Sequence, residues 1–221
     1  EILRIEDEEL EGAVKYSLIE LLRNVVQHSG SPIGGTAMAQ YYPNSGLVNL
    51  CVADIGVGVK ASLNEAYPEL ETDLQALKLA TLPHVSRTFG PATYTAMRDN
   101  AGLGLFFIKQ IASLAAGSFF LGSKEALMDL WGNEEGQQKK LYKLARNGGW
   151  PGTFAYLQLR RDSIAEFDGI LTVCRNLAAE ARKYPAELAL DFIEEVPEIP
   201  GLIVIKVAQF EEDVEAAAKC R

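Results

Sequence analysis

Hydrophobic residues recur at helical intervals near the start of the chain. Residues 10–28 carry apolar side chains three and four positions apart, which predicts an amphipathic helix. We expect its apolar face to pack in the core; that face is formed by Val14, Leu18, Leu21, Leu22, Val25 and Val26. At about 100° per residue, the opposite face carries Glu20, Asn24, Gln27 and His28. A breaker-rich sequence at 29–35 then ends the helix.

The middle of the chain alternates between predicted strands and helices. Strands are predicted at 36–42 and 47–53, and Pro-Asn-Ser-Gly at 43–46 is a good hairpin turn between them. Two helices are predicted at 63–82 and 103–116, the second heavily apolar, with Phe106 and Phe107 expected in the core. Further strands are predicted at 118–123 and 153–159. These elements predict an α+β domain.

Two stretches between those elements are irregular in sequence. Residues 83–100 are rich in Thr, Gly and Pro, and a long irregular stretch of this kind predicts a functional loop, which we interpret as a lid over a site. Residues 124–152 are polar and rich in Lys, and we interpret them as a connector.

The pattern changes after residue 161. A helix is predicted at 163–183, strands at 188–193 and 201–208, and an acidic helix at 211–221. We therefore divide the chain into a domain at 1–161 and a linker helix with the start of a second unit at 162–221. Because residue 1 is Glu, we also expect the chain to be a piece of a longer protein.

Composition narrows the classes of function. The 221 residues are 48% hydrophobic and 23% charged, as in ordinary soluble globular proteins. A net charge of −9 argues against a nucleic-acid or anionic-membrane surface, and no apolar run approaches the ~18 residues of a membrane span. Three cysteines stand singly without metal-ligand spacing, which favours a reducing cytoplasm: Cys51, Cys174 and Cys220.

Candidate chemistry lies in three short motifs. Glu20 and Asn24, four residues apart on the first helix, offer a carboxylate and an amide oxygen that suit a hard cation or a water. Alone, such a pair is usually a solvated face. The sequence 54–58, Asp-Ile-Gly-Val-Gly, follows a strand, and its glycines allow a flat ligand to approach the backbone. The sequence 100–104, Asn-Ala-Gly-Leu-Gly, opens a helix whose free N–H groups suit phosphate.

The order of these motifs resembles one known family. A helix with Glu-x-x-x-Asn, a strand ending in Asp-x-Gly-x-Gly, a long loop leading to Asn-x-Gly-x-Gly-Leu on a new helix, and Gly-Thr opening a final strand resemble the GHKL ATP-binding superfamily. The resemblance covers residues 10–160. It implies the Bergerat fold, which is a two-layer α/β sandwich with a mixed, mostly antiparallel sheet, followed here by a C-terminal helix-strand extension.

The resemblance also implies a role for each motif residue. Asn24 would bind Mg²⁺ and bridge it to the ATP phosphates, while Glu20 would be the general base. Asp54 would accept a hydrogen bond from the adenine amine, supported by the Thr153 hydroxyl or a shared water. The remaining nucleotide-binding residues it implies are Gly56 and Gly58 near adenine, and Gly102, Leu103 and Gly104 around the phosphates. Other polar side chains have weaker assignments, since each is more often a surface charge or a helix cap: His28, Lys60 and Arg87.

In layout the chain is most similar to the anti-sigma serine kinases, a likeness that implies a signalling role with a STAS-type partner or phospho-acceptor. A homodimer is also among the expected assemblies, and residues 201–221 could begin a fused STAS-like module. Three functions stay open at this point. The chain is an ATPase or protein kinase, a non-catalytic nucleotide-gated interaction module, or a scaffold that no longer binds nucleotide.

Overall fold

A seven-stranded sheet with helices on one face forms the framework of the protein. The computed structural model describes residues 3–87, 102–133, 136–144, 149–183 and 198–199. The helices described are α1 (Glu8–His28), α2 (Val59–Leu63), α3 (Asp73–Ala80), α4 (Gly104–Leu114) and α5 (Phe167–Lys183). The strands described are β1 (Gly35–Tyr42), β2 (Leu47–Asp54), β3 (Ser118–Lys124), β4 (Ala126–Asn133), β5 (Gly136–Leu144), β6 (Trp150–Arg160) and β7 (Glu198–Ile199).

The sheet has the strand order β1-β2-β6-β3-β4-β5-β7. Each neighbouring pair among the first six strands is antiparallel, and only the short β7 runs parallel to its neighbour β5. The predicted α+β class is therefore confirmed, with an antiparallel sheet of six strands and five helices in the described part of the chain.

Strand β2 shows how the sheet positions a polar group. Its residues alternate between buried and half-buried, so that Val48, Leu50, Val52 and Asp54 share the buried face. Leu50 lies opposite Leu157 of β6, which lies opposite Phe119 of β3, and all three side chains are fully buried. Asp54 ends this buried row, so its carboxylate points towards the helical layer.

Helix α1 begins at an Asp7 cap, whose side chain accepts from the Leu10 amide at 2.8 Å. Its predicted apolar face is only partly right. Leu21 is buried, but Leu22 and Val26 are 39% and 85% exposed. The buried arc is rotated because the face with Glu20 and Asn24 also turns inward, over a cavity described below.

Two predicted segments were wrong. Of the predicted helix at 63–82, only Asp73–Ala80 is helical beyond Leu63, where α2 already ends; a capping box of Thr72 and Gln75 starts α3. The predicted connector at 124–152 contains β4 and β5. Their alternation was hidden because β5 carries exposed lysines at 139 and 140 beside the buried Leu144.

Helix α5 packs on the same helical layer as α1 and α4. Phe167, Leu171, Cys174 and Ala178 are buried in the main core, and Phe167 contacts the ring of Tyr16. The predicted linker helix therefore belongs to this core. The division at residue 161 stays a prediction, because the predicted elements at 188–193, 201–208 and 211–221 lie outside the described residues, as does most of the predicted lid.

Candidate functional site

A cavity of about 530 Å³ lies between the sheet and the helical layer. Its floor is apolar and comes from three neighbouring strands, through Val52, Leu121 and Ala155. Polar groups from α1, from the end of β2 and from the start of α4 surround this floor. An apolar floor with a few converging polar groups is the usual construction of a small-molecule site.

Asp54 forms one end of the cavity and is 5% exposed. Its Oδ1 accepts from the backbone N–H groups of Gly56 at 2.7 Å and Thr153 at 3.3 Å. No described residue donates to Oδ2, so this oxygen is available to a ligand. The support from Thr153 therefore comes from its backbone, where the resemblance implied a hydroxyl or a water. A buried carboxylate oriented in this way selects a hydrogen-bond donor, such as an amine.

Close backbone packing holds the loop after Asp54. A Cβ on Gly56 would lie 1.9 Å from the carbonyl oxygen of Ser29, and the Val57 amide donates to that same oxygen at 2.8 Å. Gly58 has a backbone φ of +83°, a value that residues other than glycine rarely adopt. These contacts explain why glycine is needed at both positions and why the loop approaches the end of α1.

One face of α1 forms a wall of the cavity, with Glu20, Asn24 and His28 at successive turns. The side chain of Glu20 is 16% exposed and forms an ion pair with Arg23. Asn24 Nδ2 and His28 Nδ1 are buried and make no hydrogen bond to any described residue. Burial, together with the nearby charge of Arg87, lowers the pKa of His28 and so favours the neutral imidazole.

The opposite end of the cavity is the N-terminus of α4. Gly102 has φ +73°, and a Cβ there would lie 2.4 Å from the carbonyl oxygen of Val85. A Cβ on Gly104 would lie 2.7 Å from Glu20 Oε2. The Glu20 carboxylate therefore lies beside the first turn of α4, where the helix dipole favours negative charge. Arg87 also lines the cavity and adds a cation, whose charge acts on His28.

Seven of the nine predicted site residues line this one cavity: Glu20, Asn24, Asp54, Gly58, Gly102, Gly104 and Thr153. The other two, Gly56 and Leu103, are not among the lining residues. Gly56 acts on Asp54 through its amide, and Leu103 is a buried residue that precedes α4. Lys60 also lies away from the cavity, since its ammonium donates to the carbonyl of Glu71 at 2.6 Å.

Sequence reasoning missed several residues that hold the site together. Arg23 is a partner of Glu20, and its position three residues further on could have indicated this. Ser123, Lys124 and Trp150 bind the backbone around Asp54 from distant parts of the chain. No local pattern marks those three.

Comparison with known proteins identifies no family for this chain. A scan against models of known protein families finds none that matches the chain, and a search of curated proteins also finds no match. Within the described ranges, no helix has both the length and the apolar character needed to cross a membrane. The same part of the chain contains no group of three His, Cys, Asp or Glu side chains suited to a metal ion.

Proposed function

We propose that the chain is an Mg-ATP-binding domain of the GHKL superfamily with the Bergerat fold, acting as an ATPase or protein kinase in a signalling protein. The observation that supports this most strongly is a single cavity with an oriented buried carboxylate at one end and a helix N-terminus at the other. A nucleotide has a matching polarity, with an amine on the base and negative charge on the phosphates.

Adenine fits the end with Asp54. Oδ2 would accept from the exocyclic amine, while the apolar floor contacts the ring. Guanine would present a carbonyl to the same oxygen, and two facing acceptors leave a buried polar group without a partner. The proposed site is therefore selective for ATP over GTP.

The phosphates fit the end with α4. Backbone N–H groups at Gly102 and Gly104 and the guanidinium of Arg87 would neutralise part of their charge. Asn24 would hold Mg²⁺ through its amide oxygen, and the ion would supply further charge neutralisation at the phosphates. Mg²⁺ commonly takes one or two protein ligands and keeps waters, so the donor set of this cavity fits it. Asn24 Nδ2 is a donor and would not bind the ion itself; it is buried and makes no hydrogen bond to any described residue, so it would donate to a phosphate oxygen beside the ion.

Glu20 is the proposed general base. Its carboxylate lies beside the α4 N-terminus, within the part of the cavity assigned to the phosphates. There it would orient a water or an acceptor hydroxyl and take its proton.

The protein is expected to act in the cytoplasm, and a STAS-type protein is the proposed partner or phospho-acceptor.

A non-catalytic, nucleotide-gated interaction module is the second candidate. The ion pair between Glu20 and Arg23 favours it, because a carboxylate oxygen that is engaged by a guanidinium is less free to hold an attacking water. In this case ATP would bind and change a partner surface without turnover.

Formation of ADP from Mg-ATP, measured with and without a STAS-type protein as phospho-acceptor, separates the two candidates. For a catalytic domain, Glu20→Gln should keep ATP affinity and lose turnover by about 100-fold or more, as expected for a lost general base. Arg23→Gln should keep or raise turnover. An absence of turnover in wild type and both variants, with ATP affinity intact, would favour the gated module, and an absence of ATP binding would contradict both candidates.

A further inference from the structure

Ser123 lies at the end of β3, opposite Thr153 of β6, and is fully buried. Its hydroxyl accepts from the amide of Val59 at 2.9 Å and donates to the carbonyl of Gly152 at 3.0 Å. One side chain therefore joins the start of α2 to the start of β6. These two backbone segments flank Asp54.

Lys124 makes a second connection from the same strand end. Its ammonium donates to the carbonyl of Gly56 at 3.1 Å and to that of Pro151. A Cβ on Gly58 would lie 2.8 Å from Ser123 Oγ and 2.9 Å from Lys124 Cε. The loop at 54–58 is thus packed directly against both side chains.

The groups held by Ser123 and Lys124 are neighbours of the groups that orient Asp54. Gly56 and Thr153 donate to Asp54 Oδ1, while Lys124 holds the carbonyl of Gly56 and Ser123 holds the carbonyl of Gly152. Gly152 is also packed tightly, since a Cβ there would lie 2.4 Å from Asp54 Oδ1. A shift of either backbone segment would therefore rotate or release the carboxylate.

We infer that Ser123 is a positioning residue that fixes the Asp54 carboxylate and thereby sets the preference of this site for a 6-amino purine. This inference rests on the proposed nucleotide-binding function. Ser123 and Lys124 are not among the residues that line the cavity, so they act on a ligand only through the loop. Lys124 strengthens the same arrangement from the exposed side.

The test has two parts: the affinities for two nucleotides are compared, and amide hydrogen exchange is measured without a nucleotide. Affinities are measured by calorimetry for ATP and for the purine ribonucleoside triphosphate that lacks the 6-amino group. Amide hydrogen exchange of 54–59 and 151–154 is measured on the protein alone. The variants are Ser123→Ala and Lys124→Met. The methionine keeps most of the apolar part of the lysine side chain but lacks its ammonium group. The matched control is Ser17→Ala, since Ser17 is also a fully buried serine but its hydroxyl has no hydrogen-bond partner among the described residues.

We expect Ser123→Ala to speed exchange in both segments and to lower the ATP preference by roughly fivefold, the equivalent of one lost net hydrogen bond. Lys124→Met should change both quantities in the same direction, and Ser17→Ala should change neither. An equal loss of affinity for both ligands would show a general structural role and overturn the inference. So would an unchanged preference in both variants while wild type binds ATP. Wild-type protein that binds neither ligand would instead overturn the proposed function, and the inference with it.

Discussion

Replacement of Asp54 by Asn is the sharpest perturbation of the proposed base pocket. The change retains one oxygen, which can keep its contacts with the amides of Gly56 and Thr153 at the Oδ1 position. The second oxygen becomes an NH₂ group, which is a donor facing the donor amine of adenine. Asp54→Asn should therefore remove ligand recognition while leaving the loop in place.

The expected magnitude follows from the type of hydrogen bond lost. A hydrogen bond to a charged group contributes about 1.5–3 kcal/mol, and about 1.4 kcal/mol corresponds to a tenfold change in Kd. ATP affinity should fall by roughly 10- to 100-fold, as measured by calorimetric titration.

Asp54→Ala is the matched comparison. It removes both oxygens, so the two amides held by Oδ1 lose their acceptor as well. Leaving buried donors unsatisfied costs about 1–3 kcal/mol, so this variant should lose thermal stability by several degrees whereas Asp54→Asn should not. Unchanged ATP affinity in Asp54→Asn, or equal destabilisation of the two variants, would refute the reasoning.

Three further predictions concern the loop, the metal and a buried lysine. Gly56→Ala places a Cβ 1.9 Å from the Ser29 carbonyl oxygen and should abolish detectable ATP binding by calorimetry, whereas Gly169→Ala on helix α5 should not. Removal of Mg²⁺ should weaken ATP binding in wild type but have little further effect in Asn24→Ala; an equal Mg²⁺ effect in both proteins would exclude Asn24 as the ligand. Burial and the charge of Lys139 lower the pKa of Lys109 to about 8, from 10.5 in the unfolded chain. Because the unfolded state binds more protons between these values, the free energy of unfolding should rise from pH 8 to 10.5. Lys109→Met should reduce that rise in denaturant titrations, while Lys139, whose pKa is also lowered by burial, keeps part of it.

The local sequence pattern was sufficient to predict the helices and strands that have a strong hydrophobic periodicity and clear turn residues at their ends. The bounds of β1, β2 and α4 differ from the predicted ones by only one or two residues, because the Pro-Asn-Ser-Gly turn and the Gly-rich turn mark them. Phe106 and Phe107 were expected in the core, and both are 5% exposed.

Failures occurred where tertiary packing overrides the local pattern. Val26 is apolar yet 85% exposed, while the polar Glu20 turns inward because the cavity is on its side of α1. Strands β4 and β5 were missed because the lysines that β5 exposes at 139 and 140 resemble those of a polar loop.

The candidate site was predictable only as a set of motifs. Their order suggested that the polar residues of α1, the end of β2 and the start of α4 belong together, and the structure places them around one cavity. The hydrogen bonds that orient Asp54 could not be predicted, because its partner Thr153 is 99 residues further along the chain. The same holds for Ser123 and the amide of Val59, which are 64 residues apart.

Calorimetric titration of the wild-type protein with ATP and with GTP, each with Mg²⁺, tests the central claim most directly. The arrangement of Asp54 predicts that ATP binds with a measurable heat and that GTP binds at least tenfold more weakly. Equal binding of both nucleotides would contradict the assignment of Asp54 to the base, and binding of neither would contradict the proposed nucleotide site as a whole.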